Sequence, residues 1–227
     1  MKKLFRYFSG TELALWSVSV LLIVLSFCMF DRESYLTLTA SLIGVTSLIF
    51  NAKGNPVGQA LMIVFSLLYG IISYGFAYYG EMITYLGMTM PMAFFALVSW
   101  LKHPYKGNKA EVQVNHINGA EQGLMWLLTL AVTVVFYFVL RYFNTANILP
   151  STLSVATSFL AVYLTFCRCP TFALAYAAND VILIVLWMLA SVSEIRYISV
   201  VVCFVAFLFS DIYGYISWQR MKKRQSA

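Results

Sequence analysis

Apolar positions in this chain neither alternate with polar ones nor keep to one helical stripe. They run on in blocks of about 20 residues separated by short polar links, which is the length an α-helix needs to cross about 30 Å of hydrocarbon. Eight blocks qualify, at 12–30, 34–51, 56–78, 81–101, 122–142, 148–167, 170–191 and 194–218. Their continuous apolarity argues against a β-barrel, whose strands alternate lipid-facing and lumen-facing side chains. The block at 34–51 is the least apolar, being short and rich in Ser and Thr. The pattern predicts an all-α integral membrane protein.

Composition strengthens this reading. Of 227 residues, 61% are apolar and 11% charged, whereas a soluble domain is about one quarter charged. The net charge of +6 does not indicate a nucleic-acid partner, because the cations sit in short links and at the ends. With both termini cytoplasmic, Lys2, Lys3, Arg6, Lys53, Lys102, Lys106, Lys109, Arg168, Arg220, Lys222, Lys223 and Arg224 fall inside, and only Arg32, Arg141 and Arg196 outside. Such an excess of inward cations is how membrane proteins orient. It places a multi-pass chain in a bacterial inner (plasma) membrane with a cytoplasmic C-terminus. The stretch Met1–Phe30 imitates a signal peptide, but its apolar run is long and lacks a cleavage site, so an uncleaved helix is expected. Cys28, Cys167, Cys169 and Cys203 have no metal-ligand or redox spacing and read as small hydrophobes. No metal or cofactor is expected.

The blocks contain a repeat. Phe95–Lys102 and Tyr213–Arg220 both read aromatic, three residues, then Ser-Trp-x-cation, which sets Trp100 and Trp218 118 positions apart. Pro56 and Pro170 each open a block 114 apart, and Glu81 and Glu194 stand 113 apart near the start of the next. Three matches in one order at nearly one spacing indicate duplication of a three-helix unit. Four crossings separate matching helices, so the copies point the same way, as in SWEET-type sugar transporters. The expected organisation is an extra N-terminal helix (1–33), a first triplet (34–101), a cytoplasmic loop with linker helix (102–147), and a second triplet with a basic tail (148–227).

Within that frame, Asn51-Ala-Lys-Gly-Asn-Pro56, Leu68-Tyr-Gly70, Tyr79-Gly-Glu-Met82, Asn179 and the ending Tyr213-Gly214…Trp218 resemble the PnuC-type vitamin transporters over roughly residues 34–220. The resemblance implies a 3+1+3 parallel-repeat bundle, a homotrimer, and facilitated diffusion of nicotinamide riboside. Many relatives read Pro-Met-Gln where this chain has Pro91-Met92-Ala93, which leaves thiamine and riboflavin open as substrates.

A carboxylate deep in a bilayer is expensive and marks function by default. Asp180 lies about ten residues into block 170–191, after Asn179, and Trp187 falls on its face two turns later. This set suits a flat, polar, cationic ring such as the riboside's pyridinium, which an indole can attract; the plainer alternative is hydrogen bonding between helices. Opposite, Gln59, Ser66, Tyr69 and Ser73 share one helical face, with Gln59, Ser66 and Tyr69 expected to meet the ribose hydroxyls. Thr89 lies mid-span beside Pro91, where a kink is expected. Asp211, one face with Trp218, reads equally as gate, helix-end contact or solute ligand. Tyr74, Tyr78 and Tyr79 read as interface residues. His103 and His116 read as solvated loop residues. No catalytic constellation or phosphate loop occurs, so an enzyme is not expected. A membrane signalling or scaffold protein is the alternative of another class, but it has no need of a mid-bilayer carboxylate facing a polar stripe.

Overall fold

The computed structural model describes residues 7–75, 78–145 and 147–226; Lys2, Lys3 and Arg6 of the charge pattern lie outside them. Among the described residues, eight helices are long and apolar enough to cross a membrane: α1 (Gly10–Phe30), α2 (Tyr35–Ala52), α3 (Val57–Gly75), α4 (Tyr79–Lys102), α5 (Gly119–Tyr142), α6 (Ile148–Phe166), α7 (Phe172–Ser191) and α8 (Ile198–Ser226). Local chemistry sets several of their ends. Ser9 and Glu12 cap α1 reciprocally, and Asn118 and Glu121 do the same for α5, each pair satisfying amides that a helix start leaves without partners.

Six helices close a ring in the order α2, α3, α4, α6, α7, α8, with α8 returning to α2. The linker α5 packs outside on α6, and α1 packs outside on α2 and α8. Burial follows this placement. The Ser- and Thr-rich α2, the least apolar span, has 56% of its length inside the protein, against 22% for α1 and 17% for α5. Thr37, Ser41 and Ser47 of this span are buried in the protein, out of the lipid that would leave a hydroxyl without water.

The links after α2 and α6 have one conformation. Gly54 and Arg168 both take positive φ, 65° and 58°. Asn55 N–H bonds the Phe50 carbonyl at 3.0 Å as Cys169 N–H bonds that of Leu164 at 2.9 Å. Asn51 and Thr165, just before these links, are joined by Trp218 Nε1 at 2.8 Å and Trp100 Nε1 at 2.9 Å, each indole donating to the backbone carbonyl. The two rings lie 5.4 Å apart, both fully buried. Each tryptophan ends one predicted triplet and ties down the first helix of the other.

Three expectations need correction. Pro91 does not merely kink α4. Residues Tyr85–Thr89 form a π-helical turn, with Met90 N–H reaching back to the Tyr85 carbonyl, because a proline without an N–H cannot continue the ladder. The last span does not stop at Trp218. It runs on as helix to Ser226, where the Gln225 side chain bonds Glu111, Val112 and Val114. The segment 102–121 is not all loop. Pro104–Tyr105 (β1) and Asn108–Val112 (β2) form a hairpin around Lys106 and Gly107, both at positive φ, the turn that matches strand twist. His103 and His116 on this segment are exposed.

Candidate functional site

At the centre of the ring is a narrow cavity of about 20 Å³, which every one of the six helices lines. Leu48 (α2), Met62 and Phe65 (α3) and Tyr85 and Thr89 (α4) come from the first triplet. Ser158 (α6), Tyr176, Asn179 and Asp180 (α7), and Phe204, Phe207 and Asp211 (α8) come from the second. The volume admits about one water molecule, so the walls must part before a solute can enter.

The polar groups are placed for recognition. Asn179 Oδ1 accepts from Thr157 Oγ1 at 2.9 Å and from Ser158 Oγ at 3.0 Å, which fixes the amide and leaves its NH₂ as donor. Asp180 Oδ2 and Thr89 Oγ1 are buried with no hydrogen-bond partner among the described residues. Such orphans need an explanation in a native protein, and here both face one cavity. Asp211 stands in the same wall as Asp180, so it is not a helix-end contact. Among the described residues, no Lys, Arg or His lines the space.

Aromatic rings close the cavity at both ends. Toward the ends of α3 and α7, Tyr85 lies 4.4 Å from Tyr69 between ring centroids, and Tyr69 accepts a 2.7 Å hydrogen bond from Trp187 Nε1. Trp187 in turn packs on Tyr78 and Tyr197 at 4.9 and 5.5 Å. On the other side, Tyr176 leads at 6.2 Å to Phe172, which packs at 4.8 Å on Trp218.

The residues read from sequence divide accordingly. Asn179, Asp180, Thr89 and Asp211 line the cavity. Tyr69 and Trp187 stand one and two rings further out, because seven residues return to the same helical face but about 10 Å along the axis. Ser66 is buried, but its hydroxyl has no partner among the described residues and does not line the cavity. Gln59 lies elsewhere: its Nε2 donates to Asn51 Oδ1 at 2.9 Å, next to the carbonyl that Trp218 holds. Gln59→Ala is therefore expected to lower the melting temperature, by about 2–8 °C for a loss of about 1–2 kcal/mol, while leaving solute affinity unchanged; titration calorimetry on the folded variant checks this. Tyr78, read as an interface residue, belongs to the outer aromatic stack, whereas Tyr74 is exposed. Tyr85, Ser158, Tyr176 and Phe204 were missed. Tyr176, one turn before Asp180, could have been found by helical spacing. The others come from helices whose facing the sequence does not fix. Ala93 is buried in the core and does not line the cavity.

Comparisons with known proteins agree with this fold. The profile of the nicotinamide mononucleotide transporter family matches residues 34–220, which leaves out α1. The chain is 27% identical over 218 residues to the nicotinamide riboside transporter PnuC of Neisseria mucosa, covering 94% of this chain and 82% of that protein. A crystal structure of the vitamin B3 transporter PnuC superposes with a TM-score of 0.83 at 23% identity, over 96% of this chain and 94% of the other. That likeness establishes the all-α membrane fold.

Proposed function

This chain belongs to the nicotinamide mononucleotide transporter family, and on that premise we propose that it carries nicotinamide riboside by facilitated diffusion through the central cavity. The observation that carries the choice of riboside is the make-up of the lining: two acidic side chains, Asp180 and Asp211, and no Lys, Arg or His among the described residues. The riboside is a pyridinium cation. The mononucleotide adds a phosphate of about −1.5 to −2 charge, which no Lys or Arg among the described lining residues meets. Asn179 and Asp180 hold the base, with Tyr85 and Tyr176 as the ring faces nearest them. Thr89 meets a ribose hydroxyl.

The mechanism follows from the layering. The two triplets rock as parallel repeats about the cavity, a reading supported by the matched links after α2 and α6 and by the exchanged tryptophan bonds. Opening toward one side parts the Tyr69–Trp187 layer, and opening toward the other parts the Phe172–Trp218 layer. The π-turn in α4 lies against the cavity at Tyr85 and Thr89 and serves as the hinge. Among the described residues, nine cations lie at the end of the bundle bearing the C-terminus and Arg32, Arg141 and Arg196 at the other. This supports a bacterial inner-membrane protein with its C-terminus in the cytoplasm. A homotrimer completes the proposal, on the strength of the family resemblance.

Calorimetry on detergent-purified protein, with nicotinamide riboside, the mononucleotide, thiamine and riboflavin in parallel, tests the assignment. Saturable binding of the riboside and none of the mononucleotide is expected. Tighter binding of thiamine, also a cation, would retain the charge argument and move the substrate. Binding of the mononucleotide as tightly as the riboside would overturn the charge argument itself.

A further inference from the structure

Where α1, α2 and α8 meet at the end of the bundle bearing the C-terminus, two hollows adjoin. The first, about 370 Å³, is polar and is lined by Lys53, Arg220 and Arg224 together with Tyr7, Glu111 and Ser217. The second, about 150 Å³, is an apolar groove on the lipid-facing side between α1 and α2, walled by Phe8, Leu13, Trp16, Ile49 and Phe50. Tyr7 lines the first and its neighbour Phe8 the second. Tyr7 and Phe8 pack edge-on at 4.9 Å, Phe8 packs on Phe50 at 5.3 Å, and Lys53 Nζ lies 4.8 Å and 5.8 Å from the Tyr7 and Phe8 ring centres.

The charges of the polar hollow do not cancel. Glu12 takes up Lys53 at 3.1 Å, and Glu111 takes up Arg224. Arg220 has no carboxylate partner among the described residues. Among the described residues, an unpaired cation beside an apolar groove matches a ligand with a negative headgroup and a hydrocarbon tail. A soluble phosphate monoester carries nearly two charges and has no use for the groove.

We propose that an anionic phospholipid occupies this paired site, its phosphodiester against Arg220 and Arg224 beside Lys53 and one acyl chain in the groove along Trp16. Basic pockets next to membrane helices hold lipid headgroups by this combination of charge and burial. The site is separate from the central cavity, and it uses α1, which lies outside the residues matched by the family profile.

Quenching of tryptophan fluorescence by brominated lipid reads occupancy directly. Trp16 and Trp126 are exposed, whereas Trp100, Trp187 and Trp218 are buried, so a Trp126→Phe background leaves Trp16 as the lipid-facing reporter. Brominated phosphatidylglycerol is expected to quench the component lost in Trp16→Phe at lower mole fraction than brominated phosphatidylcholine. Arg220→Gln and Arg224→Gln are each expected to cut that preference about fivefold; both side chains are exposed, so the fold is not at stake. Equal quenching by the two lipids overturns the proposal. If calorimetry then shows saturable binding of inorganic phosphate, the hollow serves a soluble anion; if not, it serves none.

Discussion

Replacing either Asp180 or Asp211 with Asn should raise the dissociation constant for nicotinamide riboside about ten- to hundredfold, and the double replacement should cost less than the product of the two. The first figure follows from the 1.5–3 kcal/mol that a hydrogen bond or close contact to a charged group is worth. A cationic ring entering a water-poor cavity loses its hydration, and a carboxylate is what replaces it. The second expectation follows from position. Both side chains line one small cavity, so the groups share a field and a ligand, and their contributions are not independent. Folding offers no alternative account of such a loss, because an amide is cheaper to bury than a carboxylate; both variants should melt no lower than the parent. Binding by calorimetry, with the melting temperature recorded on the same samples, separates the cases. Wild-type affinity in Asp211→Asn beside a lost affinity in Asp180→Asn would remove Asp211 from the site. Wild-type affinity in both would remove the charge argument on which the riboside assignment stands.

How far this site could be read in advance depended on what each residue's signal was. Asp180 and Asn179 announced themselves because polar groups deep in an apolar block have few explanations. Asp211 carried the same signal, but its place seven residues before Trp218 left gate, helix-end contact and solute ligand equally open; in the folded chain it lines the cavity, and α8 runs on for eight residues beyond Trp218, to Ser226. Trp187 follows Asp180 by two turns but does not line the cavity, since a face is set by angle alone while contact also needs the same height on the axis. Gln59 and Ser66 shared a stripe with Tyr69, yet a stripe 14 residues long spans about 20 Å, more than any one solute covers. Tyr85, Phe204 and Phe207 could not be singled out, because an aromatic residue in an apolar block has the same appearance whether it faces lipid, core or cavity. The fold itself was more legible than the site. Block length and the positions of prolines and cations record the helices and their links, whereas facing is decided by packing between helices far apart in sequence.

The largest loss of stability should come from the two tryptophans that close the ring. Trp218→Ala and Trp100→Ala are each expected to cost about 3–5 kcal/mol, the usual price of emptying a buried aromatic site. In a chain of this size that lowers the melting temperature by about 6–20 °C. Trp→Phe at either position keeps most of the ring and loses only the N–H, leaving the carbonyl of Asn51 or Thr165 with the Gly54 or Arg168 amide alone, and should cost about 1 kcal/mol. The two positions should behave alike, since each indole bonds the matching carbonyl of the opposite triplet at 2.8–2.9 Å. With their rings 5.4 Å apart, the double alanine variant should lose less than the two singles combined. Thermal unfolding followed by size-exclusion after heating measures all five variants without relying on the fluorescence that the substitutions remove. A Trp100→Ala protein as stable as the parent beside a strongly weakened Trp218→Ala would show that the two triplets are not held by equivalent contacts, and the parallel-repeat mechanism would lose its structural footing. Equal losses would instead show the two triplets held by equivalent contacts at this buried pair, where α2, α4, α6 and α8 are tied together.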